Sequence, residues 1–203
     1  ELKSFSIIFT ILCVLCLVNS LNLADGINGL ATGIIFFWLL YISQVYEFGI
    51  SMINIIILIN LIIMFVNIYR GDQFLGDAGS LMLSGFISFL IIWLHNKNIF
   101  HPSHGASAET IFIIFIVPVI DMLRLLFERL INKKNPAYGD NQHLHHYLVN
   151  KYKLNKALIF YFIFLNVPII VSLYTSINKI YIISVVLIIY SSFIYHYKRH
   201  TKK

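Results

Sequence analysis

Residues 5–40 read FSIIFTILCVLCLVNSLNLADGINGLATGIIFFWLL: two long apolar runs joined by a short polar turn. Neither run alternates in polarity, so neither has the pattern of a membrane β-strand. A run of about 17–25 apolar residues is long enough to cross a ~30 Å hydrocarbon core as a helix. Lipid offers the backbone no hydrogen-bond partners, so each such run must satisfy its own amides as an α-helix. The same pattern recurs along the chain. Seven spans are expected, near 5–22, 30–48, 50–68, 80–95, 110–130, 157–175 and 179–197. The expected fold is therefore all-α and polytopic, a single membrane domain over 1–203, with polar loops at about 69–79 and 131–156.

Composition agrees. Of 203 residues 59% are hydrophobic and 12% charged, against about 25% charged in a soluble domain. Disorder needs low hydrophobicity and is excluded. The net charge of +6 reads as a topology signal. With residues 198–203 on the cytoplasmic side, alternation puts most Lys and Arg on that side, as the positive-inside rule requires. No nucleic-acid recognition module accompanies the charge. Asp25, Asp72, Asp77, Asp121 and Asp140 fall toward the same face, and carboxylates bordering apolar helices are costly to keep there without a purpose. Residue 1 is Glu, and Phe5–Ser20 superficially mimics a signal peptide. The polar motif running through Asn19 crosses the supposed cleavage site, so a chain shortened at its N-terminus is the simpler expectation.

Three constellations carry chemistry. The first is Asn19-Ser-Leu-Asn22-Leu-Ala-Asp25-Gly26-Ile-Asn28-Gly29. Asn19 and Asn22 share a helix face, and the Asp-Gly and Asn-Gly pairs break the helix, exposing backbone N–H groups that suit anions. A polar interhelical turn with packing glycines is the plainer alternative. The second is Phe74-Leu-Gly-Asp77-Ala-Gly-Ser80, opening the next span. Asp77 there can serve Mg²⁺, which favours one or two carboxylates plus substrate oxygens, or act as an ordinary cap. The third runs from Pro118, Asp121 and Arg124 to His143-Leu-His145-His146. Asp121 and Arg124 are helix neighbours expected to neutralise each other, and Pro118 is expected to kink the helix. Imidazoles can donate to diphosphate oxygens; zinc would need a fourth ligand and better spacing. Cys13 and Cys16 sit in an apolar run, unlike accessible redox pairs. His95, His101 and His104 have no partner constellation.

Together, Asn-x-x-Asn-x-x-Asp-Gly-Ile-Asn-Gly-Leu, Phe-Leu-Gly-Asp-Ala-Gly-Ser and His-Leu-His-His, in this order, resemble the polyprenyl-phosphate N-acetylhexosamine-1-phosphate transferases, glycosyltransferase family 4. The likeness is closer to the branch that opens O-antigen, enterobacterial common antigen and teichoic acid synthesis than to the muramyl-pentapeptide branch. Two spans follow the His motif, and its three His are not consecutive. The resemblance implies transfer of a sugar 1-phosphate from a UDP-N-acetylhexosamine to undecaprenyl phosphate, with release of UMP. It implies Mg²⁺, with Mn²⁺ as an alternative, and a bacterial inner-membrane protein with a cytoplasmic C-terminus; a homodimer is a further expectation. Carried over by motif, Asp77 is the principal metal ligand, with Asn22 beside the metal. Asp25 is a catalytic or substrate-positioning carboxylate, and Phe74 stacks on uracil. Asn28, where many relatives have Asp, hydrogen-bonds uracil. Asn19 joins the substrate-binding set, and His143, His145 and His146 bind the sugar diphosphate. Asn141 stands where the family pattern differs, which leaves its contribution open. The family's N-terminal Asp-Asp pair is missing from this chain. The chain by itself is therefore expected to be inactive, its full-length parent being the enzyme. The rival readings are a secondary-transporter fragment with polar groups near the bilayer midplane, and a non-catalytic assembly subunit.

Overall fold

The computed structural model describes residues 2–46, 50–71, 74–96, 107–135 and 141–201. Asp72, Asp140, His101 and His104 lie outside them. Every regular element among the described residues is an α-helix. In chain order these are α1 Leu2–Ala24, α2 Leu30–Val45, α3 Ile50–Arg70, α4 Gly76–Asn96, α5 Ala108–Ile131, α6 Leu144–Tyr152, α7 Leu154–Tyr174 and α8 Lys179–Thr201.

The seven expected spans fall on α1–α5, α7 and α8. Among the described residues five helices are long and apolar enough to cross a membrane: Ser6–Ala24, Gly76–Asn96, Ala108–Ile131, Leu154–Tyr174 and Lys179–Arg199. Leu30–Val45 and Ile56–Arg70 are shorter apolar helices. The protein is thus a multi-pass membrane protein. Large apolar side chains line the outer faces, as on α1 (Ile8, Leu12, Leu15) and α8 (Ile188, Ile189). Lipid solvates such faces as well as a protein core would. Helices in a bilayer therefore associate through close van der Waals fit and polar contacts, not through the hydrophobic effect. Cys13 and Cys16 are free thiols, the former exposed on α1.

The chain divides into two compact units, Glu1–Ala106 and Ser107–Lys203. In the first, α1 packs on α4, and α2 is held among α1, α3 and α4. That position accounts for α2 being buried nearly all round, from Leu30 through Ile34, Ile35, Trp38 and Ile42 to Val45. Ser80, Ser84 and Ser88 make a buried small-residue stripe on α4. Their hydroxyls turn back into the helix, Ser84 Oγ to the Ser80 carbonyl and Ser88 Oγ to the Ser84 carbonyl, leaving a thin face for a neighbouring helix.

In the second unit α5 packs against α7 and α8, α6 against α7, and α7 against α8. α5 is the most buried span, with Pro118 inside its continuous helix. The 131–156 connection holds α6, whose Leu144, Tyr147 and Leu148 are buried. Lys153, at φ 64°, ends α6 and starts α7.

Candidate functional site

α1 stops at Ala24, where Asp25-Gly26 and Asn28-Gly29 turn the chain; Gly29 adopts φ +81° to do so. The facing connection leaves α3 at Arg70 and enters α4 at Gly76, φ +71°. Three polar side chains tie these two connections together across the fold. Asn22 Nδ2 donates to Asp77 Oδ1 and to Ser80 Oγ, both at 3.0 Å. Asp25 accepts from the Gly76 amide at 2.6 Å and the Leu75 amide at 3.3 Å. Asn28 Nδ2 donates to the Gly71 carbonyl at 2.6 Å. The opening amides of a helix have no partner within it. Asp25 therefore caps α4 from another segment and fixes the turn that carries Asp77.

Burial raises the Asp25 carboxyl above its usual range; the two amides pull it back, and the neighbouring Asp77 charge pushes it up again. Asp77 is exposed, with one oxygen held by Asn22. Among the described residues no group of three or more His, Cys, Asp or Glu could hold a metal. A donor set of one or two carboxylates suits a cation that keeps water and substrate oxygens in its shell, which is the habit of Mg²⁺. Phe74 is 55% exposed at the mouth of the same connection. Asn19 is not drawn into this web: exposed on α1, it returns its Nδ2 to the Leu15 carbonyl of its own helix.

The second unit holds a separate polar cluster. Asp121, 4% exposed on α5, accepts from His143 Nδ1 at 2.9 Å and from the Leu144 amide at 3.1 Å. It also accepts from Tyr190 Oη at 2.6 Å and Arg124 Nη2 at 3.1 Å. The expected Asp121–Arg124 pair is present, but it is one strand of a larger knot. Arg124 also donates to Tyr190 Oη, the Gln142 carbonyl and Glu128, and Lys198 closes on Glu128 at 2.7 Å. The three imidazoles gather at the start of α6. His143 and His145 lie parallel with centroids 5.4 Å apart, and His145 and His146 are 4.1 Å apart.

The sequence model of glycosyl transferase family 4 matches residues 1–95. The undecaprenyl-phosphate alpha-N-acetylglucosaminyl 1-phosphate transferase of Escherichia coli K12 is 29% identical over 160 residues, 73% of this chain and 42% of that protein. The probable undecaprenyl-phosphate N-acetylglucosaminyl 1-phosphate transferase of Bacillus subtilis is 30% identical over 145 residues, 69% of this chain and 39% of that protein.

Residues 1–95 thus carry the glycosyl transferase family 4 pattern.

The chain spans about two-fifths of the length of the curated relatives it matches. No solved structure matches it. The family match contains the whole Asn22–Asp25–Asp77 cluster, and the His motif follows it in the chain. Sequence reading named each polar side chain of the first cluster but none of the bonds that join them across the two connections. In the second it passed over the Asp121–His143 and Asp121–Tyr190 contacts, whose partners are 22 and 69 residues apart.

Among the described residues, His145 carries a strongly shifted imidazole outside the spans. His145 is 1% exposed, and burial, with His146 and His143 adding to it, lowers its pKa from 6.5 to about 3. The unfolded chain therefore takes up a proton that the folded one refuses. Stability is full above about pH 6.5 and falls as pH drops toward 3, by at most about 1.4 kcal/mol per pH unit. Lowering the pH from 7 to 5 is expected to cost up to roughly 2 kcal/mol, and His145→Gln to flatten that slope. Unfolding midpoints at the two pH values in detergent check it; equal slopes in parent and variant would refute the assignment.

Proposed function

We propose that the full-length protein transfers an N-acetylhexosamine 1-phosphate from a UDP-sugar to undecaprenyl phosphate, releasing UMP, as the first membrane step of a cell-surface polysaccharide. The observation that carries this reading is the closure of Asn22, Asp25 and Asp77 into one polar cluster at the ends of α1 and α4. A transporter site would instead sit where helices break near the midplane. The acceptor's phosphate lies at the membrane surface, where helix ends lie too. The protein would sit in the bacterial cytoplasmic membrane with its C-terminus inside, where its basic residues collect.

An oxygen of the lipid phosphate attacks the sugar-bearing phosphorus of the donor. The bond from that phosphorus to the UMP oxygen breaks, and UMP leaves with the electron pair. Acceptor and donor are both anionic, and Mg²⁺, or Mn²⁺ in its place, would offset their repulsion and the charge gathering on the leaving group. Asp77 would hold the ion, with Asn22 orienting its carboxylate. Asp25 locks the α4 entrance and keeps Asp77 in place. Asn28 and Phe74 would take the uracil, and Asn19 the edge of the substrate. His143, His145 and His146 would serve the sugar diphosphate. Positioning reactants in line supplies much of the remaining acceleration.

The test uses membranes carrying the full-length gene product, undecaprenyl phosphate, Mg²⁺ and a panel of UDP-N-acetylhexosamines, with UMP and lipid-linked sugar as readouts. Metal-dependent product with at least one sugar is expected. A folded, well-expressed protein that forms product with none of them sinks the reading. Phe74 gives a finer check. Stacking on a base contributes about 1–3 kcal/mol, so Phe74→Ala should raise KM for the UDP-sugar roughly 5- to 150-fold while kcat changes little. An unchanged KM would remove Phe74 from the base site.

A further inference from the structure

Asp121 is buried in the middle of an apolar helix, where a charge is expensive unless something depends on it. A partner for Arg124 alone would not require what is seen. The two carboxylate oxygens are divided between two tasks. Oδ1 faces Tyr190 Oη at 2.6 Å, Arg124 Nη2 at 3.1 Å and the Leu144 amide at 3.1 Å. Oδ2 faces His143 Nδ1 at 2.9 Å, with a longer 3.2 Å contact from the Leu144 amide. Asp121 thus both caps α6 and grips the first ring of the His motif. His143 is the N-cap residue of α6, yet its own side chain makes no capping bond; the cap comes from α5.

We propose that Asp121 is the positioning residue of the His motif: it holds His143 in the tautomer with hydrogen on Nδ1, which keeps Nε2 available for the substrate. The proposal rests on the reading of the His motif as a substrate-binding element. A carboxylate can only accept, so the nitrogen facing it must carry the hydrogen. The same bond fixes the ring plane, and the parallel stacking of His143 on His145 carries that orientation to the next ring. The other ring nitrogen of a histidine takes its role from the partner of the first.

The geometry makes a sharp prediction for Asp121→Asn. Three donors crowd Oδ1, so the amide oxygen will occupy that place and the amide NH₂ will face His143. The NH₂ donates to Nδ1 and drives the hydrogen to Nε2. The variant therefore keeps the shape and most bonds of the knot but reverses the tautomer. Loss of the orienting partner of a metal-ligating imidazole costs about 10–100-fold, and a fall in kcat of the same order is expected here.

The experiment uses the full-length protein with ¹⁵N-labelled histidine, His143 being assigned by its loss in His143→Gln. Neutral His143 should show hydrogen on Nδ1 in the parent and on Nε2 in Asp121→Asn. A parent signal from the Nε2–H tautomer overturns the proposal, and that reading stands whether or not the variant folds. Kinetics add a second arm. If Asp121 acts through His143, then Asp121→Asn should cost less than threefold in a His143→Gln background, because coupled residues are not additive. Multiplying losses would mean a separate structural role and would also overturn it. A parent that transfers nothing defeats the transferase reading, while the ¹⁵N spectrum still decides the role of Asp121.

Discussion

In the full-length protein, under the proposed function, Asp77→Asn is expected to lower UMP release by about 10³-fold, which corresponds to roughly 4 kcal/mol of transition-state stabilisation. A cation neutralising charge at a diphosphate is worth several kcal/mol, and Asp77 is the exposed carboxylate of the cluster best placed to hold one. The substitution isolates charge from shape. Asn22 Nδ2 donates to Asp77 Oδ1 at 3.0 Å, and an amide oxygen accepts that bond equally well. The Asn22–Ser80 bond and the Asp25 cap on Gly76 do not involve the Asp77 carboxylate at all. Unfolding stability should therefore stay close to the parent's. Half-maximal activity should also need more Mg²⁺, because Asp25, the other carboxylate of the cluster among the described residues, already has both oxygens occupied by amides. The measurement is UMP release against Mg²⁺ concentration in matched membranes, with a thermal unfolding control. Activity within threefold of the parent at equal Mg²⁺ would take Asp77 out of the metal site.

The Asp25 arrangement shows what a sequence can and cannot display. Asp-Gly and Asn-Gly after an apolar run announce the end of α1, because glycine supplies the left-handed turn. Nothing local announces that the Asp25 carboxylate will cap a helix that starts 51 residues later. Length and apolarity sufficed for seven helices. α6 is different: it has nine residues and three imidazoles at its start. So short a helix is not stable on local propensity; its cap comes from Asp121 and its buried face from α7. Asn19 and Asn22 illustrate the limit of face arguments. Residues three apart on a helix still differ in direction by about 60°. In α1 that suffices to send Asn22 toward α4 and leave Asn19 on its own backbone. The Asp121–Arg124 pair was legible because both ends lie on one helix turn. Tyr190 and His143, the partners that give the pair its purpose, reach it only after α8 and α6 have docked.

The largest effect on stability is expected at Gly29. Its φ is +81°, and a Cβ built there lies 2.3 Å from Ile68 Cγ1 and 2.9 Å from Ile68 Cδ1. Two costs then add in Gly29→Ala. The left-handed conformation strains an L-residue by about 1–2 kcal/mol. Overpacking against a β-branched side chain, which has few rotamers in a helix to retreat to, costs about 1–3 kcal/mol more. A total near 3 kcal/mol is expected, measured as unfolding free energy in mixed micelles. Two other glycines separate the contributions. Gly76 also has positive φ, +71°, but nothing lies within 4 Å of its Cβ position, so Gly76→Ala should pay the strain alone. Gly85 is helical and open, so Gly85→Ala should be neutral or gain up to about 1 kcal/mol in helix propensity. The expected order of destabilisation is Gly29, then Gly76, then Gly85. If Gly29→Ala proves no worse than Gly76→Ala, the close approach of the α1–α2 turn to α3 is refuted. Activity should follow the same logic. Pushing the turn off Ile68 strains the Asn28–Gly71 tie at 2.6 Å and drags Asp25 away from Gly76. In the full-length protein, Gly29→Ala should therefore lower the proposed transferase activity even at temperatures where it remains folded.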